Sequence, residues 1–163
     1  MGVCKKWEAA FFACQLDHTR KIAIRSSIVL GNSGGAFPML KKISRLGMGG
    51  RQGSGQQFFS WIHIHDFCRA VEFIIDHQWI VGPVNVTAPN PVKNEKLMSL
   101  IRKRLKVLFG IPQPKWLLEL GARIIGTETE LLLKSRNVIP ERLGENDFKF
   151  EHKQIESALE DLI

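Results

Sequence analysis

Residues 53–67, GSGQQFFSWIHIHDF, decide how the chain is read. Two glycines and two glutamines open the stretch, and an aspartate closes it. The run FSWIHI alternates with the period of a short β-strand. Asp66 reads as the cap of a following helix, because Phe67, Ala70, Val71, Ile74 and Ile75 recur at i, i+3, i+4, i+7 and i+8. A loop, a strand and a capped helix in this order form one unit of an α/β layer.

The flanking sequence repeats the alternation. Upstream, Trp7, Ala10, Phe11 and Cys14 share one helical face, which predicts a helix over 5–16. KIAIRSSIVLG, 21–31, is rich in β-branched residues and stops at glycine, so it reads as a buried strand. The turn GNSGG leads to a helix over 36–46, followed by a glycine-rich loop, 47–55. Downstream, GPVNVTAPNP, 82–91, is a strand ending in proline turns, and Asn94 reads as the cap of a basic helix over 95–108. Helices alternating with short apolar strands predict an α/β architecture.

Beyond Gly110 the character changes. IPQPKWLLELGARIIGTETELLLKS predicts two short helices after a proline pair. NVIPERL, FKF and a final helix over 152–162 complete a small α+β subdomain, 111–163, packed on residues 1–110.

Composition removes several classes of function. Of the 163 residues 44% are hydrophobic and 24% charged, a globular balance. No apolar run reaches the roughly 18 residues that a membrane span needs, and the first residues lack the pattern of a secretory signal. Three cysteines without CxxC spacing indicate neither a disulfide framework nor a zinc ribbon. An intracellular reducing location, cytoplasm or mitochondrial matrix, is expected. The net charge of +7 collects at Lys41-Lys42 and in residues 102–106. Leu97, Leu100, Ile101, Leu105 and Leu108 supply the opposite, apolar stripe, so these charges read as a solvent face; no nucleic-acid motif accompanies them.

Direct tests for chemistry yield little. On a strand, His63 and His65 point to one side and could approach one ion. The third ligand would have to be Asp66, Cys68 or a distant residue, and Asp66 is already assigned as a cap. No metal is expected. Gly53-Ser54-Gly55 reads as a tight loop rather than the nucleophile turn of a hydrolase. Gly47, Gly49, Gly50, Gly53 and Gly55 neither give GxGxxG nor follow a strand into a helix.

One family fits the loop, strand and helix together. The matching residues are Trp7-Glu8-Ala9-Ala10, Arg25 to Gly31, Gly34-Gly35-Ala36, Arg45 to Gly50, Gly53 to Ile64, Gly82 to Pro89 and Val138 to Leu143. In order and spacing the chain resembles the extended branch of the short-chain dehydrogenase/reductases, within it the epimerase-like family related to the bacterial cell-division-inhibitor SulA homologues. The resemblance implies the C-terminal half of a Rossmann-like protein: residues 1–110 as the remainder of that domain with its substrate-side elements, 111–163 as the family's C-terminal subdomain. Full-length members bind NAD(P); the glycine fingerprint would lie upstream of Met1, so this chain alone is expected to bind none.

The superfamily's proton relay is a tyrosine with a lysine four residues on, the lysine lowering the phenol pKa. This chain has no tyrosine, and no catalytic residue is carried over. By resemblance Ser26, Ser27 and Ile28 would touch the nicotinamide side, although the family usually has glycine at position 27. Gly53, Gly55, Gln57, Trp61 and His63 would line the substrate cleft; the packing alternative for Trp61 and His63 stands equally. Phe59 holds the place where nucleotide-sugar epimerases carry a phosphate-gripping arginine, so that substrate is not implied, and His65 receives no role. Two functions stay open: the substrate-side half of an NAD(P)-dependent epimerase or reductase, or a non-catalytic structural or interaction protein. The second would meet a protein partner, or a second copy, through an exposed half-sheet junction.

Overall fold

The computed structural model describes residues 2–14, 17–114, 118 and 134–163. Its centre is the strand expected over 21–31, which forms but changes partner midway. Its first part, β1 (Ile22–Ser26), pairs in parallel with β5 (Gly82–Val86), from Ile22↔Gly82 to Ser26↔Val86. Its second part, β2 (Ile28–Leu30), pairs in parallel with β4 (Trp61–His63), from Ile28↔Trp61 to Leu30↔His63. Ser27 is the crossing point: its N–H donates to Val86 O at 3.1 Å, and the next amide, Ile28, donates to Ser60 O at 3.3 Å.

FSWIHI divides in the same way. β3 (Phe58–Phe59) runs antiparallel to β6 (Val92–Lys93), and after Ser60 the chain enters β4. Ser60 ties down the later chain, its hydroxyl donating to Arg136 O at 2.7 Å and accepting from Val138 N at 2.9 Å.

The helices follow the apolar spacings: α1 (Gly2–Ala13), α2 (Ala36–Ile43), α3 (Ile64–Asp76), α4 (Asn94–Arg104), a five-residue α5 (Glu141–Glu145) and α6 (Ile155–Leu162). A π-helical turn, Ser44–Met48, prolongs α2 and ends through Gly47 at φ 77°, backbone that glycine adopts without strain. α4 carries Arg102, Lys103 and Arg104 in its last turn, where positive charge meets the negative end of the helix dipole.

Period-2 alternation along the strands sends neighbours into two cores. Leu30 and Trp61 join Phe37 and Leu40 of α2, Leu97, Met98 and Ile101 of α4, and Ile155, Ala158, Leu159 and Leu162 of α6. Ile62, Val84 and Val86 join Ala70 and Ile74 of α3 with Leu143, Phe148 and Phe150. Both faces of the β2–β4 pair are therefore covered, as parallel pairing favours, whereas Ile24 to Ser26 of β1 stay exposed.

Three expectations change. α3 begins at Ile64, and its cap is His63, whose Nδ1 accepts from His65 N at 3.2 Å; Asp66 lies buried in the first turn with other partners. Asn94 is the first residue of α4, and its side chain turns to Gln52 instead of capping. Residues 148–150 form no strand, so the described part of 111–163 is helical apart from an isolated bridge between Gln52 and Gln113. The described residues of 111–163 pack into the two cores above. The two short helices expected over 111–135 fall largely outside the described residues.

Candidate functional site

Parallel strands collect their carboxyl ends on one edge, which is where ligands bind in open α/β sheets. Here β2 ends at Leu30 and β4 at His63, and a cavity of about 260 Å³ opens just beyond, lined by Val29, the run Gly31–Gly35 and Ile64. Gly34 and Gly35 have φ of 77° and 72°, so the turn folds tightly enough to start α2 at Ala36. Behind the lining, Lys41 donates to Asn32 Oδ1 and, at 3.3 Å, to Leu162 O. Burial and the nearby Arg45 hold its ammonium below the usual lysine range.

The expectation that no serine sits in a GxSxG elbow needs correction at GNSGG, 31–35, which has that spacing on a strand–turn–helix. Ser33 is not among the residues with positive φ, however, so the strained backbone that lifts a hydrolase nucleophile is not formed.

Ser26, Ser27 and Ile28 sit at the partner switch, before the cavity. Their polar atoms serve the backbone: Ser26 Oγ donates to Ser27 O at 2.8 Å and Ser27 Oγ to Val86 O at 3.4 Å. Ile28 is half-buried against the first core.

The Gly53–Gln57 loop is pinned from within. Gln52 N donates to Asn94 Oδ1 and Asn94 Nδ2 donates to Gln52 Oε1, both at 2.9 Å and both buried. Gln57 Nε2 donates to Gln52 O at 2.8 Å, and its Oε1 accepts from Ser54 Oγ at 3.1 Å. Gly53 and Gly55 take the positive φ that the turn needs. The side chain expected to contact substrate, Gln57, is thus committed to the loop's own shape. Trp61 is fully buried, with Nε1 donating to Asn90 O at 3.0 Å, in keeping with the packing alternative that the sequence left open.

His63 is also buried, and the structure brings it two residues that sequence spacing could not supply. His152 stacks on it with ring centroids 4.0 Å apart and a 37° tilt, and Asp161 Oδ2 lies 3.2 Å from His63 Nε2. One ligand atom from each of the three lies within 4.8 Å of the others. Burial, then the neighbouring His152, push the His63 pKa below the ordinary histidine value, against the upward pull of Asp161 and Asp66. Beside them Asp66, fully buried, accepts from Glu151 N at 2.9 Å, His152 N at 2.8 Å and Arg69 Nη1 at 3.0 Å. His65 pairs with Glu151 at 3.0 Å on the outside of this cluster.

For a dinucleotide the fit is partial. Gly47, Gly50 and Gly53 have GxxGxxG spacing, but they leave a helix and precede a strand, the reverse of a pyrophosphate cradle. Gly50 is moreover pressed against the backbone of Ile111 and Pro112. The carboxyl-edge cavity has room for the reacting end of such a ligand and for nothing as large as the whole.

Fold and edge define a class: an epimerase-like α/β chain with the Rossmann-like fold of short-chain dehydrogenase/reductases. The comparisons narrow it. Residues 113–162 match a family model described as a domain of unknown function, DUF1731. Epimerase family proteins of Staphylococcus aureus (strain MRSA252) and Staphylococcus epidermidis are each 35% identical, over 161 and 159 residues, covering 97% of this chain and 52% of theirs. The chain thus spans about half the length of the curated relatives it matches. The crystal structure of the human epimerase family protein SDR39U1 (isoform 2) with NADPH superposes with a TM-score of 0.86 at 31% identity, over 99% of this chain and 54% of that one. A nucleoside-diphosphate sugar epimerase from Corynebacterium glutamicum gives 0.75 at 28%, over 99% and 30%. Among the described residues no helix is long and apolar enough to cross a membrane.

Proposed function

We propose that this chain supplies the substrate-side part of an NAD(P)-dependent epimerase- or reductase-like protein. The carrying observation is the cavity at the carboxyl ends of β2 and β4, walled by Gly31–Gly35 and Ile64. The likeness to an NADPH-bound epimerase family structure supports the cofactor class. In this reading the dinucleotide's pyrophosphate is held by a nucleotide-binding half, on the same polypeptide or another, and Gly31–Gly35 meets the reacting end. The cavity's residues bind and orient; none of them is assigned a proton transfer.

NADPH titration followed by fluorescence and thermal melting tests this. The chain alone is expected to show no shift. Supplied as a second chain, the nucleotide-binding half of a staphylococcal relative is expected to restore saturable binding, and Gly34→Val to weaken it because a β-branched residue does not adopt the φ of 77° that shapes the turn. Micromolar NADPH binding by this chain alone, which would add about 4 kcal/mol at a thousandfold excess, overturns the division of labour.

A second reading, a non-catalytic interaction protein, is favoured by α1. That helix buries no residue, and Trp7 (70% exposed) and Phe11 stand open beside the unpaired side of β1, where Ile24 is also exposed. Such a surface fits a protein partner or a second copy.

A further inference from the structure

The cluster at the end of β4 contains a feature that neither packing nor the proposed function uses. His63 Nε2 and His152 Nδ1 are both buried without a hydrogen-bond partner, and they belong to rings stacked on each other. Asp161 Oδ2 approaches His63 Nε2 at 3.2 Å, close enough for an ion pair but without hydrogen-bond direction. We propose that His63, His152 and Asp161 bind one divalent cation of the zinc class.

The chemistry of the donor set selects that class. Two imidazoles and one carboxylate suit zinc, and also copper or nickel, whereas magnesium and calcium prefer all-oxygen shells. Ligand atoms on a tetrahedral zinc ion stand about 3.3 Å apart, given bond lengths of 2.0–2.1 Å. The His63–Asp161 separation of 3.2 Å already matches, and all three atoms lie within 4.8 Å of one another. The remaining closure is between His152 and that pair, and the Asp161 side chain, 60% exposed against 3% for His63, has room to follow. Three protein ligands leave a fourth position, which opens towards solvent on the Asp161 side. The scaffold is held from outside the donor set where buried Asp66 fixes the backbone amide of His152.

The site carries a distinctive signature. His63 Nδ1 accepts from His65 N, so in the neutral ring the proton sits on Nε2, facing Asp161. A cation bound through Nε2 displaces that proton, and the neutral ring then carries its hydrogen on Nδ1. Binding therefore moves the proton across the ring, and His65 N loses its acceptor at the start of α3.

Titration of the full chain with Zn²⁺ by calorimetry, and with Co²⁺ as a coloured substitute, tests the proposal. One equivalent is expected to bind, with cobalt giving the intense visible bands of a tetrahedral site. Asp161→Asn and His152→Phe, the latter keeping a ring to stack on His63, are each expected to weaken binding at least about tenfold. His65→Gln, whose ring pairs outside the cluster, is expected to leave it unchanged. Long-range proton–nitrogen spectra of the His63 ring should show the hydrogen on Nε2 without metal and on Nδ1 with zinc. Asp161 is exposed, so its variant is expected to stay folded, and melting curves check both variants. Substoichiometric binding, binding that survives both substitutions, or a His63 hydrogen that stays on Nε2 in the zinc-loaded chain overturns the proposal.

Discussion

At the scale of single residues, this molecule places polar side chains where local sequence gives them a different task. Asp66 has the spacing of a helix cap, yet it accepts two backbone amides and one guanidinium donor in full burial. Its charge is matched by donors that an amide cannot satisfy equally, since an asparagine NH₂ would face other N–H groups. Asp66→Asn is expected to cost about 3 kcal/mol, read as a lower denaturant midpoint. Asn94 behaves similarly: Asn94→Ala strands the buried amide of Gln52, and a loss of about 2 kcal/mol is expected in the same measurement. Sequence reading identified both residues as structural but gave them local partners. Their true partners lie 85, 86 and 42 positions away, and no periodicity reports such distances. His152 and Asp161 were illegible as companions of His63 for the same reason.

At the scale of elements, helices were legible and strand partners were not. The apolar spacing of α3 fixes which face it buries, because 3.6-residue periodicity is local. The run 21–31 announces a strand, but its change of ladder at Ser27 depends on where Val86 and Ser60 arrive. The glycine-rich stretch 47–55 was legible as a loop; its tightest restriction was not. An added Cβ at Gly50 would strike the backbone of Ile111 and Pro112, so Gly50→Ala is expected to destabilise by about 2 kcal/mol, measured by thermal melting. A glycine with negative φ gives no sign in the sequence that a second strand of backbone passes beside it.

For the whole molecule, the α/β class was readable because alternation of helix and strand is written along the chain, whereas the two-sided core emerges only when distant pieces meet. Trp61 and Ile62, adjacent in sequence, enter different cores. The open face of α1 is the counterpart on the surface. Self-association at micromolar concentration is expected in sedimentation experiments, and Trp7→Ser with Phe11→Ser is expected to reduce it without lowering the melting temperature, because neither side chain is buried.

The reach of Asp66 also sets a clock on biogenesis. Its amide donors are residues 151 and 152, so until they are made the carboxylate has only the nearby Arg69 guanidinium as a donor. At about 5–20 residues per second the ribosome needs roughly 4–17 seconds to travel that far. A nascent chain must wait for that later segment, and a product stalled before it leaves the carboxylate with Arg69 alone.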